Sequence, residues 1–272
     1  PGNRHASLLI KTRSFTVTPV RPQIVGNRIG NIRFFRNIKY LHSIWFTCLS
    51  CSFTDSAVSA AGSLPQCAKE VYWHLPGLCY FRLLNQVLIN TMREYPEKFR
   101  DGYRIGSVYG TIPGAIWNGG RAVFGISNKA EIERVIATYN QYGIPARFTW
   151  SNSLLEEKHV YDTYCNMIMK VADNGLNQAI VNQPVLEEYI RREYPSYKLI
   201  SSTTKRMVDP ARLQEEVMKD YFLVVLDYDL NRNEEVIKQL EPVANKIEIL
   251  VNEICFPGCP KRAEHYREES RS

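Results

Sequence analysis

From residue 68 onward two hydrophobic rhythms take turns along the chain. Segments whose apolar residues recur every three or four positions predict helices over 81–95 (Leu83, Leu84, Val87, Leu88, Met92, ending before Pro96), 128–142 (Ile132, Val135, Ile136, Tyr139, closed by Gly143), 158–172, 185–194, 210–218 and 233–240, with a last helical stretch at 261–269. Between them lie short runs of strand character at 69–73, 103–109, 144–150, 178–181, 198–200, 222–226 and 247–251. Several of these runs, AIVN, FLVVLD and IEILVN, do not alternate, which is the mark of strands covered on both faces. Connections of a few residues then make a βα repeat and a parallel sheet.

The loops separate the two common parallel architectures. A doubly wound nucleotide fold carries a glycine fingerprint between its first strand and helix, and a P-loop ends in Gly-Lys-Ser/Thr. Gly106, Gly110, Gly114, Gly119 and Gly120 do not have that spacing, and no P-loop is present. In a barrel the chemistry gathers where the strands end, and these ends are polar in turn: Asn152, Asn182, Ser201 with Ser202, Asp227, and Asn252 with Glu253. The same residue types also cap the helices that follow, so each has a structural reading beside the functional one. The expectation is a parallel (β/α)8 TIM-type barrel with Asn152, Asn182, Ser202, Asp227, Asn252 and Glu253 around a substrate pocket. The 205 residues from Ala68 on are fewer than the ~250 typical of such a barrel, which predicts a C-terminal truncation. A barrel lacking strands would expose their edges.

Charge changes the picture of the first 67 residues. The chain of 272 residues has a formal net charge of +6, yet residues 1–67 hold eight Lys and Arg against the single acid Asp55, and residues 68–272 are close to neutral. The overall charge therefore implies no nucleic-acid partner for the main domain. The first segment lacks a sustained apolar period and has Pro19, Pro22 and Gly26 where an amphipathic presequence helix would begin. It reads as a basic extension, non-native or disordered, outside a folded domain at 68–272. Translation upstream of a true start is the favoured source, with an organelle presequence or a nucleic-acid arm as alternatives. The apolar stretch 40–53 is too short and interrupted for a membrane span, and with no secretory signal the domain is expected in the cytoplasm.

Seven irregularly spaced cysteines fit a reducing compartment and no disulfide framework. Cys48 and Cys51 have redox spacing without the strand and helix that would support it. The sharper signal is IEILVNEICFPGCPKRAEHYR, a buried strand followed by a loop with Cys255, Cys259 and His265, where Pro257-Gly258 turns between the two thiols. Such a loop can aim both thiolates at one metal ion or cluster, with Cys165 or Cys79 as a further ligand if the fold brings it near. Both of these also suit a small buried hydrophobe. The turn-rich stretch GTIPGAIWNGGR offers a second candidate: an anion nest of backbone N–H groups over Gly114 to Arg121, with Asn118, Gly119 and Gly120 among its residues, Arg121 as counter-charge and Trp117 as a stacking surface. Close packing of a tight turn is its structural alternative. His74 reads as a structural histidine with acid–base chemistry as the alternative, and His159 as a capping or solvated residue. No nucleophile elbow or HExxH motif supports a common hydrolase mechanism.

The order AIWNGG, PARFTWSN, QAIVNQPVLEEYIRREYPSYKLISSTT, VVLDYDLNRNEEVIKQL and IEILVNEICFPGC, over roughly 114–259, resembles the barrel half of the collagenase-like peptidase family. That family includes the iron–sulfur accessory proteins of oxygen-independent ubiquinone hydroxylation. The stretches GSVYG…PGAIWNGGR and VNEICFPGCP also resemble bacterial or phage proteins of this type. The resemblance implies a barrel and, for some members, a [4Fe–4S] cluster on four Cys, with Cys255 and Cys259 in the matching loop. The cysteine nearest before Cys255 is Cys165, so Cys79 or Cys165 would have to complete the set. Three expectations follow. The first is an enzyme or accessory protein holding an Fe–S cluster, or alternatively zinc, through Cys255 and Cys259. The second is a metal-free barrel holding a peptide or small anion. The third is a partial barrel without activity.

Overall fold

The computed structural model describes residues 45–49, 70–119, 125–251 and 255–271, the first of these as backbone alone. Eight strands close a barrel in sequence order: β1 (Trp45–Leu49), β2 (Glu70–Pro76), β3 (Tyr103–Gly110), β4 (Ala146–Trp150), β5 (Gln178–Val181), β6 (Lys198–Ser201), β7 (Leu223–Val225) and β8 (Ile247–Leu250). From β2 to β8 every neighbouring pair is parallel. β1 runs antiparallel to both of its neighbours, with Trp45 opposite His74 on β2 and opposite Leu250 on β8. The expected all-parallel ring is therefore corrected at one strand. That strand comes from the segment whose composition set it apart as an extension. Its local sequence has no partner of its own, and its pairing is supplied by the two edges that β2 and β8 leave open. Cys51 and the remainder of the first 67 residues lie outside the described residues.

The helices are α1 (Arg82–Glu94), α2 (Lys129–Asn140), α3 (Thr163–Val171), α4 (Pro184–Glu193), α5 (Pro210–Met218), α6 (Glu234–Leu240) and α7 (Arg262–Arg271). Four start at residues whose side chain accepts an orphan N–H: Asn128 from Glu131 at 2.9 Å, Asp209 from Arg212 at 2.9 Å, Asn233 from Val236 at 3.2 Å, and Asp162 at the start of α3. The single helix expected over 158–172 is instead a 3₁₀ turn, Glu157–Tyr161, followed by α3. Asp162 makes the break, because its extended ψ of 124° stops the turn while its side chain accepts from Cys165 N at 2.7 Å and caps the new helix. None of the described helices is long and apolar enough to cross a membrane.

Strand residues alternate between two cores. Val108, Ala146, Phe148, Trp150, Ala179, Val181, Leu199 and Val224 pack outward on helix residues such as Ile136, Ile168, Ile190, Leu213 and Val236. Tyr109, Ile180, Ile200, Leu223, Val225 and Leu250 form a separate apolar cluster. Each lies two positions from the next inward residue of its strand, so this cluster fills the barrel. Beside it runs a buried polar layer. Arg147 on β4 reaches Glu248 on β8 at 2.6 Å, and its Nε donates to Gln178 at 2.9 Å. β4 and β8 stand on opposite sides of the ring, so this ion pair spans the interior.

Candidate functional site

The parallel strands aim their C-terminal ends at one rim. After β7, Asp227 accepts from Asp229 N at 3.0 Å and starts a short 3₁₀ turn. Arg206 donates to both of its carboxylate oxygens, at 3.1 and 3.0 Å, and to Asp229 at 3.2 Å. Arg206 is the one described non-glycine residue with positive φ, 56°, a strained conformation retained where the side chain meets two acids. The Arg262 guanidinium completes the network, 3.1 Å from Asp229 Oδ1 and 3.7 Å from Asp227 Oδ1, with its plane 5.3 Å over the Tyr228 ring. Burial raises the pKa of Asp227 against the opposing pull of its hydrogen bonds and of Arg206. Burial would also raise Asp229, but the Gly258 N–H, Arg206 and Arg262 outweigh it and hold that carboxyl below its ordinary value.

This acid–guanidinium network holds the cysteine loop. Gly258 N donates to Asp229 Oδ1 at 2.8 Å, and Gly258 adopts the left-handed φ of 68° that the Pro257-Gly258 turn needs. Cys259 N then bonds Phe256 O at 3.2 Å, and α7 begins within three residues. The turn and the first helical turns bring Cys255, Cys259 and His265 together, with one ligand atom from each lying within 4.8 Å of the others. Arg262 supports this group from behind: its Nε donates to Cys255 Sγ at 3.3 Å and its Nη2 to Phe256 O at 2.8 Å. Such outer contacts orient metal ligands. Cys165 and Cys79 do not join it. Cys165 is buried on the core face of α3 and its thiol is pushed up by burial; Cys79 is pushed up to about 11 for the same reason. Thiols held protonated in an apolar setting are poor metal ligands.

Of the other expected rim residues, Asn182 donates to Thr204 at 2.7 Å, and Ser202 shares a 2.8 Å hydrogen bond with the same hydroxyl while capping the turn at 203–205. Ser201 points outward to Glu216 at 2.7 Å. Asn152 donates to Ile116 O at 2.8 Å and to Ser270 O at 3.3 Å. Ser153 N and Oγ meet Ser270 Oγ at 3.1 and 3.0 Å. Asn152, Asn182, Ser202 and Asp227 thus share one rim. Asn252 and Glu253 lie outside the described residues.

The glycine-rich loop is built as packing. Trp117 is fully buried, its ring set edge-on against Trp150 and Tyr189 and its Nε1 donating to His159 O at 2.8 Å, so it offers no face to a ligand. Asn118 spends both ends of its amide on Ile112, at 3.2 and 2.6 Å, and Gly119 N donates to Thr149 O at 3.0 Å. Gly119 presses on the Ser151 backbone, where a Cβ would overlap it. These three residues therefore do not form the expected anion nest; Gly120 and Arg121 lie outside the described residues. His159 caps its turn, accepting from Glu156 N at 2.9 Å.

Pattern reading singled out His74 but not the partners that make it part of a second polar group. His74 shares a 2.7 Å hydrogen bond with Ser107, and its Nε2 lies 3.7 Å from Glu248. These are the residue types of a nucleophile, base and orienting acid, but all three are at most 3% exposed, inside the barrel. Burial, with Arg147 beside it, depresses the His74 pKa well below 6.5. The group serves the core. Arg206, Arg262, Asp229 and Ser270 were also missed, since each gains its place from a partner distant in sequence.

No family model matches the chain. Over 106 residues the chain is 27% identical to "Uncharacterized protease MJ1657" of Methanocaldococcus jannaschii, a match covering 38% of this chain and about a third (31%) of that protein. The solved structure described as "The Structure of the U32 Peptidase Mk0906" is 12% identical with a TM-score of 0.46, over 81% of this chain and 82% of that one.

Proposed function

We propose that this chain is a barrel protein of the collagenase-like peptidase kind whose rim holds one zinc ion through Cys255, Cys259 and His265, next to a polar pocket for a peptide or small molecule. The approach of the three ligand atoms to within 4.8 Å is the observation that carries this reading. A [4Fe–4S] cluster fits the donors poorly. It asks for four thiolates, and of the four cysteines whose side chains are described, Cys165 is buried in the core and Cys79 packs against it, both with thiol pKa values raised by burial. Two thiolates and an imidazole suit tetrahedral zinc and leave its fourth position for water or a substrate atom. When bound, such an ion supplies a Lewis acid, or a water with its pKa lowered toward neutrality.

This chain's own residues do the rest. Arg262 donates to Cys255 Sγ and fixes the direction of that ligand. Asn152, Asn182, Ser202 and Thr204 supply hydrogen bonds for a backbone-like substrate, and Asp227, faced by the two guanidiniums of Arg206 and Arg262, holds charge at the edge of the pocket. A cytoplasmic setting suits the free thiols. The test is metal content of the full chain purified without oxygen or chelator. We expect about one zinc per chain, lost in the Cys255→Ala/Cys259→Ala double variant while the far-ultraviolet circular dichroism is unchanged. A well-folded protein with no zinc overturns the reading. Stoichiometric iron and sulfide overturn the choice of zinc.

A further inference from the structure

α7 meets the barrel at two places only loosely related in sequence. At its first residue Arg262 is 0% exposed and lies against Asp227, Tyr228 and Asp229 at the end of β7. Near its last, Ser270 bonds Asn152 and Ser153 at the end of β4. β5 and β6 curve round the ring between those strands. The eight helical rises from Arg262 to Ser270 make a straight rod of ~12 Å, so α7 runs as a chord over the mouth to which Asn152, Asn182, Ser202 and Asp227 belong. Its inward side is a one-residue stripe, Arg262, Tyr266 and Ser270, and the rest of the helix is exposed. No stripe of Leu, Ile or Val seats it. A helix seated by polar contacts, with no apolar stripe beneath it, belongs to the low-stability part of a fold.

The proposed metal ligands lie at the Arg262 end. Cys255 precedes the turn, Cys259 ends it and His265 is on α7 itself. Arg262 is the shared part, because one guanidinium donates to the ligand Cys255 and reaches both rim acids. We infer that zinc at this group locks α7 across the barrel mouth, and that loss of the ion frees the helix and opens the rim to an extended peptide. This rests on the zinc reading above. Without the ion, the crosslink from Cys255 and Cys259 to His265 is lost from the first turns of α7, while the Arg262 contacts and the Gly258 to Asp229 bond remain.

The reporter is the Ser153 amide, which donates to Ser270 Oγ in the closed arrangement. Hydrogen exchange is followed by NMR or mass spectrometry on the full chain, with zinc and after chelation, alongside zinc content. We expect exchange at Ser153 and through 263–271 to rise at least ~10-fold on zinc removal and in Cys255→Ser, with the core strands β4 to β7 unchanged. Ser270→Ala is expected to speed Ser153 exchange with zinc still bound, because it releases the far end alone. Zinc bound stoichiometrically with the same exchange after its removal overturns the lock and leaves the metal site standing. Absence of zinc binding overturns both. Loss of protection in the core strands of Cys255→Ser would mean unfolding, and the Ser270→Ala result then decides: unchanged Ser153 exchange there overturns the chord arrangement.

Discussion

Replacing Arg147 by Met isolates the interior ion pair. Both side chains are fully buried, and their shortest contact is 2.6 Å across the barrel. Removing one member leaves Glu248 in a low-dielectric interior, a change that costs about 3–5 kcal/mol, whereas replacing both members by apolar residues of similar size is about neutral. His74 gives the single variant a second signature. In the wild type, burial first and Arg147 second hold His74 neutral. The unfolded chain therefore binds the extra proton below pH 6.5, and wild-type stability falls as pH drops, by about 1.4 kcal/mol per unit at most. With Arg147 gone, Glu248 at 3.7 Å favours the imidazolium, the folded-state pKa of His74 rises, and the acid loss shrinks. The assay is urea unfolding of wild type, Arg147→Met, Glu248→Met and the double variant from pH 5 to 8. A single-variant cost below about 1 kcal/mol, or a double variant as unstable as the sum of the singles, would refute the reasoning.

Other expected outcomes follow from the same contacts. Burial would raise the Glu216 pKa, but Lys205, Lys219 and Ser201 outweigh it and lower the value to about 2. The stability this gives is present above pH 4.5 and is lost as pH falls toward 2, so Glu216→Gln should flatten the acid limb of a thermal melt series between those values. Trp117→Phe should cost about 1 kcal/mol for the lost bond to His159 O, and Trp117→Ala about 3–5 kcal/mol for the cavity, both read by chemical denaturation. Gly119→Ala should destabilise by about 1–3 kcal/mol, because the added methyl meets the Ser151 backbone; a neutral result would show that the loop relaxes freely.

The repeat from β2 to β8 was legible because each element carries its own signal. The run QAIV reads as a buried strand and is one, and residues 210–218 read as a helix and form α5 with its Asp209 cap. The grouping of Cys255, Cys259 and His265 was legible for the same reason, since the three lie within eleven residues and a Pro-Gly turn stands between the two thiols. What local pattern cannot carry is long-range pairing. β1 has meaning only between two strands that it does not touch in sequence. Arg147 and Glu248 sit in runs that read as strand, and their partnership spans 101 positions. Trp117 shows a different limit. Its glycine-rich surroundings left an anion nest and a closely packed turn both open, and tertiary packing against Trp150 and Tyr189 decides for the packed turn.

The most direct test of the central claim is X-ray absorption at the zinc edge on the metal-loaded full chain. Cys255, Cys259 and His265 predict two sulfur neighbours at about 2.3 Å and nitrogen or oxygen neighbours at about 2.0–2.1 Å, with one sulfur lost in Cys259→Ala. A spectrum with no sulfur neighbours, or one unchanged in that variant, would contradict the account.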